Sequence, residues 1–443
     1  MSLAVSRICS DKAVPLYPIA FKAATEGFIP SPEWLYSLNN EILFRQFRLP
    51  KQHTEQQLAT YRAAVSNIQN NVIINIQNNG LQNIWSDMRH LVIRNLGPLR
   101  EADVELGQVN VIIGMQSSGK SCVLKTACYC AWVEKRLELA QRPNGFGHGS
   151  GFIDIMARYY EMAGYIKPDT YIEYETDHLR LSYDHSKQAF AYEWKPGRWQ
   201  WHRSKVSYVP ADRNLVAAIP GWSSLKLDND MLDFMADWDQ ARHFLRRADN
   251  ILDLGIAYEY DEASNTDIVI TPTGQRLTLS SSSSGLQSLI PQFVHLEYLT
   301  DGQYRDLDRR ISYEKKEEHD ALRTTLQQEG QSQEVYQQFV ETDHSEIFLE
   351  EPEDNLFPPT QCQLVNWLTD HIEPHGDRLF VATHSPYVLN QFIKLDPKGL
   401  TVLFTHPAEG REHQYDVRQL TDHEVHEIYD NGVDMFFNFE LYV

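Results

Sequence analysis

The chain has 443 residues, 23% charged and 42% hydrophobic, which are globular proportions and leave room for two or three domains rather than a disordered polymer. A formal net charge of -21 opposes global attraction to DNA or anionic membranes, although a local basic stripe would still allow DNA binding. The five cysteines (Cys9, Cys122, Cys128, Cys130, Cys362) show no C-x-x-C spacing, no apolar run reaches membrane-span length, and the N-terminus lacks a leader pattern; these features predict a reducing, cytoplasmic setting with no membrane contact.

Residues 1–50 carry aromatic and proline punctuation and read as short irregular pieces without recognisable chemistry. From His53 to Trp85 the apolar spacing is helical (Leu58, Tyr61, Val65, Ile68, Val72, Ile76), and NIQNN occurs at 67–71 and again at 75–79. Eight residues are close to two helical turns, so both copies would share a face; the other reading is a weakly ordered Asn-rich tract. LVIRNLGPL (91–99) reads as a strand and turn, and VELGQVNVIIG (104–114) as strands that end at Gly114.

Gly114 opens G-x-x-x-x-G-K-S, completed by Gly119, Lys120 and Ser121, between an apolar strand and a helix. That order suits a phosphate-binding loop. Backbone N–H groups from Ser117 to Ser121 would ring a phosphate at a helix N-terminus. Lys120 would reach the β- and γ-phosphates of a nucleotide, and the Ser121 hydroxyl would ligate Mg²⁺. Gln116, Ser118 and the adjoining Cys122 complete the predicted cradle.

A helix then runs through Tyr129, Trp132, Val133 and Leu137. TYIEYET, HLRLSYD, AFAYEW, RWQWHR and KVSYVP alternate with period two and predict antiparallel strands. Residues 212–252 read as mostly helical, and AYEYDE and DIVITP (257–272) as strands. A serine run ends in Ser283, Ser284 and Gly285, and helical spacing follows (Leu286, Leu289, Ile290, Phe293, Leu296). Its helix start is a second candidate anion site. The charged stretch 303–343 reads as a solvated helix or helical hairpin rather than a recognition surface. SEIFLEEPEDNLFPPTQ (345–361) is an apolar strand ending in Glu350 and Glu351, and RLFVATHSPYVLN (378–390) a strand ending in Thr383-His384-Ser385. A strand LTVLFTH, a short strand HQYDV and an acidic helix from about Thr421, ending in FFNFELYV, complete the chain.

A parallel sheet would collect these strand ends beside the phosphate loop. Glu350 would then hold the metal's water shell, Glu351 would polarise an attacking water, and His384 would hydrogen-bond the γ-phosphate or that water. The motif set resembles the ABC-type ATPases of the SMC, RecF and overcoming-lysogenisation (OLD) group. The Walker A loop matches Gly114 to Ser121, with Met115-Gln116-Ser117 at its centre. The signature motif matches Ser283-Ser284-Gly285, the extended Walker B matches Glu350-Glu351-Pro352-Glu353 with Leu356 and Pro358, and the switch histidine matches Thr383-His384-Ser385-Pro386. His90-Leu91-Val92-Ile93-Arg94-Asn95-Leu96 stands where the group has its first-strand motif, which puts Arg94 and Asn95 among the implied nucleotide contacts.

The resemblance implies an α/β fold of the ABC-type P-loop NTPase kind, with an antiparallel β lobe, a mixed or parallel core sheet and helical insertions. It divides the chain into an extension (1–89), a first core part (90–302), a charged insertion (303–343), a second core part (344–405) and a C-terminal strand and helix (406–443). It further implies slow ATP hydrolysis with Mg²⁺ in a head-to-tail homodimer or higher homo-oligomer. ATP would lie between the phosphate loop of one protomer and Ser283–Gly285 of the other. Three features depart from the group: no long heptad arms, no glutamine in YVPADRN (208–214), which stands at the group's metal-sensing Q-loop and where Asp212 or Arg213 would have to serve, and about 65 residues between the signature motif and the paired glutamates. About sixty residues follow His384, too few for the Toprim nuclease domain of the OLD nucleases. The chain therefore resembles the stand-alone ATPase subunits of antiphage systems (PARIS-like, Septu-like, retron-associated), in which a separate nuclease or toxin is the effector. The other readings are a RecF-like DNA-repair ATPase, using Arg242, Arg246 and Arg247 or the basic residues of 303–343, and a module in which ATP only locks an assembly.

Overall fold

The computed structural model describes residues 89–219, 229–305 and 316–431. The predicted helix with the NIQNN repeat, the residues around 220–228 and 306–315, and the terminal FFNFELYV lie outside the described residues.

The chain is mixed α/β. Strands β1 (Arg89–Leu96), β2 (Leu99–Leu106) and β3 (Val109–Gly114) lead into helix α1 (Lys120–Ala140) and α2 (Gly151–Tyr159). Strands β4 (Ile166–Glu175), β5 (Leu179–Asp184), β6 (Ala189–Trp194) and β7 (Ser204–Val209) precede α3 (Asp230–Leu245). Four short strands follow, β8 (Arg247–Ile251), β9 (Ile256–Asp261), β10 (Thr266–Ile270) and β11 (Arg276–Thr278), then α4 (Ser284–Glu297), α5 (Lys316–Gln328) and α6 (Gln333–Val340). The rest is β12 (His344–Glu350), α7 (Pro358–Ile372), β13 (Arg378–Ala382), α8 (Pro386–Leu395), β14 (Leu400–Pro407), β15 (Tyr415–Gln419) and α9 (Asp422–Asn431).

Eleven strands form one sheet in the order β6-β5-β4-β1-β2-β15-β14-β3-β13-β12-β7. The five strands from β14 to β7 are mutually parallel, whereas β6-β5-β4-β1-β2 are antiparallel. β15 joins the two halves, parallel to β2 and antiparallel to β14. Strands β8–β11 make a separate antiparallel sheet.

Strands covered on both faces must be apolar at nearly every position, and alternate residues then enter different cores. Val109, Val111 and Ile113 of β3 join one core, with Ile347 and Leu349 of β12 and Leu379 and Val381 of β13. Ile112, Phe348 and Phe380 point to the other face, where Val123, Leu124, Ala127 and Val133 of α1 cover them. Phe348 and Phe380 stack there at 4.3 Å. The first face is covered by α3, α4, α7 and α8, through residues such as Trp238, Leu289, Leu364 and Phe392. Each fully buried large side chain contributes roughly 1.5–3 kcal/mol, so this two-faced packing fixes the strand ends that carry the site.

Four local expectations need correction. RWQWHR is not a strand: Arg198–Gln200 is a helical turn, in which Arg198 lies over the rings of Trp194 (3.9 Å) and Trp199 (4.2 Å). Trp201 meanwhile packs on Phe339 of α6 at 5.0 Å. KVSYVP is no part of the antiparallel lobe but the parallel edge strand β7, paired with β12. The helical reading of 212–252 fails at its end, where Arg246, at φ +53°, stops α3 and Arg247–Ile251 pairs with β9 as β8. The charged 303–343 stretch is helical in its described part, but it is not merely solvated. Leu322, Leu326, Tyr336 and Phe339 build a small core with Leu139 and Trp201.

Candidate functional site

Parallel pairing sends the C-terminal ends of β3, β13, β12 and β7 to one edge of the sheet. From that edge emerge, in turn, Gly114, Thr383-His384, Glu350-Glu351 and Pro210–Asn214. Elements far apart in sequence meet there because the sheet leaves them no other place.

The predicted phosphate loop closes tightly on itself. Gly114 (φ +148°) and Gly119 (φ +101°) hold positive φ, and Ser117 (φ +62°) is left-handed at the exposed tip. A Cβ on Gly114 would lie 1.9 Å from Thr405 Oγ1 and 2.7 Å from the Thr405 carbonyl oxygen, and one on Gly119 would lie 2.5 Å from Leu99 Cδ2. Only glycine fits either place. Ser118 Oγ donates to the Met115 carbonyl at 2.7 Å and shares a short hydrogen bond with Thr405 Oγ1. Lys120 folds back over the loop and donates to the carbonyls of Gly114 (3.0 Å) and Met115 (2.8 Å). Burial pulls its ammonium down to about 8 despite the opposing pull of Glu351, Glu353 and Glu350. Met115 is 41% exposed at the tip. The Cys122 thiol is buried under α1 and points at the Leu96 carbonyl (3.7 Å), so its contribution to a phosphate would come from its backbone N–H. Arg94 and Asn95 are engaged elsewhere, with Glu101 (3.1 Å) and Asp169 (2.8 Å); the hairpin after them, Pro98 and Leu99, is what abuts Gly119.

The carboxylates stand on a bent strand end. Glu350 Oε2 accepts a short hydrogen bond from the Tyr208 hydroxyl on β7. Glu351 adopts φ +44°, a left-handed value uncommon for a side-chain-bearing residue, and its N–H donates to the Ala382 carbonyl of β13 at 2.8 Å. Its Oε1 lies 3.3 Å from His384 Nε2. The hydrogen bond from His384, followed by the charges of His384, Lys120 and Arg213, holds Glu351 below the usual glutamate range against partial burial. Glu353, the last acid of the motif, is half-buried and accepts the backbone N–H of His384 at 2.7 Å. Burial raises its carboxyl above the ordinary range. Ser385 caps α8, accepting from the N–H groups of Tyr387 (3.1 Å) and Val388 (3.3 Å), and so fixes the turn carrying His384.

Ser283 is the N-cap of α4, with Oγ accepting from the Leu286 N–H at 3.4 Å. A Cβ on Gly285 would meet the Asn355 carbonyl oxygen at 3.0 Å, and Asn355 Nδ2 donates to Ser288 Oγ at 3.0 Å. The start of α4 is thereby tied to the turn that follows the paired glutamates.

Among the described residues no group of three or more His, Cys, Asp or Glu side chains could hold a metal alone. The Ser121 hydroxyl and the Glu350 carboxylate are hard oxygen donors of the kind Mg²⁺ takes when phosphates and waters fill its other positions, so the residues fit that ion. Of the Q-loop candidates, Asp212 is exposed, whereas Arg213 is fully buried behind the glutamate turn. Sequence reasoning missed Thr405 and Tyr208, whose partners Ser118 and Glu350 lie 287 and 142 residues away. It also gave Glu353 no role beyond its place in the motif.

Of the basic residues weighed for DNA, Arg242 is matched by Asp239 (2.6 Å) and Asp267 (3.0 Å), Arg246 by Glu262 (3.0 Å), and Arg247 by Asp249 (2.8 Å). No helix among the described residues is long and apolar enough to cross a membrane.

No protein-family model matches the sequence, and no curated protein sequence matches it. Solved structures similar to the chain include an SMC head domain from Thermotoga maritima, at 12% identity and TM-score 0.38, covering 75% of this chain and 99% of that one. Another is an SMC head bound to the C-terminal winged-helix domain of ScpA (10% identity, TM-score 0.36, 77% and 99% covered). A third is the SMC head with an extended coiled coil bound to the C-terminal domain of ScpA derived from Pyrococcus furiosus (8% identity, TM-score 0.36, 78% and 98% covered).

Proposed function

We propose that this chain is an ABC-type ATPase that binds ATP with Mg²⁺ and hydrolyses it slowly in a site shared head-to-tail by two copies. The observation that carries the reading is the convergence, on one edge of a parallel sheet, of the phosphate loop, the Glu350-Glu351 turn and His384. Lys120 would exchange the carbonyls of Gly114 and Met115 for β- and γ-phosphate oxygens, a better partner for a buried ammonium. Glu351, kept ionised by His384, would orient and polarise the attacking water. His384, turned by Ser385 and Glu353, would stand beside the γ-phosphate. Mg²⁺, held by Ser121 and Glu350, would supply charge neutralisation at the phosphates. Ser283–Gly285 of the second copy would close the site with the N-terminus of its α4.

The narrower proposal, a cytoplasmic sensor or scaffold subunit of an antiphage complex with a separate nuclease or toxin as effector, rests on the resemblance of the motif set alone. The pairing of Arg242, Arg246 and Arg247 with acids counts against these arginines as a DNA surface. The test is ATP turnover by the wild-type protein and by Glu351→Gln, with binding measured separately. The variant is expected to bind ATP as tightly as wild type and to lose turnover. Undiminished hydrolysis by Glu351→Gln would remove Glu351 from the role assigned to it.

A further inference from the structure

Arg213 is 0% exposed, yet none of its described hydrogen bonds goes to a carboxylate. Nη1 donates to the carbonyls of Glu350 (3.0 Å) and Pro210 (3.3 Å), and Nη2 donates to the carbonyl of Glu351 (2.8 Å). Its Nε is buried without a hydrogen-bond partner. Burying a cation whose hydrogen bonds all go to main-chain carbonyls is costly even though the charges of Asp354, Glu353, Glu351 and Glu350 partly offset its burial, and an apolar side chain of the same size is commonly as stable or more so in such a place. The guanidinium therefore needs an explanation other than stability.

Its surroundings supply one. Glu351 sits at φ +44°, where a non-glycine residue stays only if its neighbours over-determine it. The peptide group before Glu351 is held on both sides: its N–H bonds to Ala382 on β13, and its C=O, that of Glu350, accepts from Arg213. The peptide group after it is held through the Glu351 carbonyl, also by Arg213. With both groups fixed, the Cα–Cβ direction of Glu351 is fixed, and the carboxylate reaches to 3.3 Å of His384. Arg213 itself is anchored on the Pro210–Asn214 turn at the end of β7, one strand away from the glutamates.

Resting on the ATPase reading above, we propose that Arg213 is a positioning residue that presents the Glu351 carboxylate to the reacting water by clamping the Glu350 and Glu351 carbonyls from behind. It is not the metal-sensing residue that the Q-loop position would suggest. Its contribution lies in geometry, and a displacement of about 1 Å at a reacting group can cost on the order of a hundredfold in rate.

The test uses the full chain and two substitutions, Arg213→Met, which keeps the length of the stem and removes every donor, and Arg213→Lys, which keeps a charge and some donors. Melting temperature, equilibrium affinity for ATP, KM and kcat are measured for each. The expected result is a kcat lowered about 10–100-fold in Arg213→Met, with KM and ATP affinity within about threefold of wild type and partial recovery of kcat in Arg213→Lys. If Arg213→Met does not fold, Arg213→Lys decides, through a reduced kcat at unchanged ATP affinity. A folded Arg213→Met with wild-type kcat, a parallel loss of affinity and kcat, or a lysine variant with wild-type kcat overturns the inference. A wild-type protein without turnover overturns the ATPase reading, whereas an undiminished Glu351→Gln removes only Glu351 from its role; either result takes this inference with it.

Discussion

Gly114→Ala tests how the phosphate loop is built, independently of any chemistry. The added methyl would lie 1.9 Å from Thr405 Oγ1, 2.7 Å from the Thr405 carbonyl oxygen and 3.1 Å from Ser118 Oγ. The hydroxyl can rotate or be removed, but the carbonyl belongs to β14, which is paired with β3 along its length. Overpacking of this kind costs roughly 1–3 kcal/mol, and an L-residue at φ +148° adds strain of roughly 1–3 kcal/mol. The expected loss is thus about 2–6 kcal/mol, read as a lower urea midpoint at unchanged slope. Thr405→Ala in the same chain removes the nearest atom and leaves the carbonyl, so it should recover less than half of the loss. Gly164→Ala is the control, because a Cβ there meets nothing within 4 Å; its effect should stay within about 0.5 kcal/mol. A Gly114→Ala protein as stable as wild type, or full rescue by Thr405→Ala, would refute this account of the loop.

Lys120→Met should weaken ATP binding by at least about a hundredfold while changing the stability of the nucleotide-free protein little. The two hydrogen bonds it loses are offset by relief of the burial that lowers its pKa to about 8; calorimetric titration together with denaturation checks both halves. A stability loss of several kcal/mol would show that the lysine holds the empty loop together. A separate prediction concerns pH. Asp377 is fully buried, accepts from Tyr304 (2.6 Å) and the Ser345 N–H (2.6 Å), and is pushed by burial from 3.8 to about 7. The folded state therefore holds this proton where the unfolded chain has lost it, so its contribution is fully present below about 4 and disappears as pH rises through about 7. Three units correspond to a limit of about 4 kcal/mol. Asp377→Asn, which mimics the protonated form, should gain on wild type between pH 5 and 8; a difference that stays flat over that range contradicts the assignment.

Much of this arrangement was legible in the chain because the physics is local. VNVIIG can only be a strand buried on both faces, and Gly114, Gly119 and Lys120 follow at the spacing a phosphate cradle needs. The apolar runs before Glu350 and Thr383 likewise demanded central strands, and parallel pairing did the rest. What escaped depended on partners distant in sequence. Trp199 and Trp201 alternate like strand residues, but Arg198 and Phe339 offer them better contacts than a sheet does. KVSYVP matches the antiparallel lobe in pattern, and only its pairing with β12 assigns it to the core sheet. Nothing before β15 indicates that it will bridge β2 and β14 into one sheet. Arg213 carried a weak signal, a cation where the resembled group has a glutamine, yet its buried position behind Glu351 was invisible without the fold.

The shared site is tested most directly by mixing two inactive variants. Lys120→Ala damages the phosphate loop, and Ser283→Arg blocks the start of α4, where the second copy would close the site. In a head-to-tail dimer each mixed pair contains one site whose two halves are both intact. Turnover should therefore return to roughly a quarter of the wild-type rate at equal mixing, from half mixed dimers with one of two sites working. Each variant alone should be inactive. No recovery on mixing, with both proteins folded and exchanging partners, or full activity of Ser283→Arg by itself, would contradict the composite site.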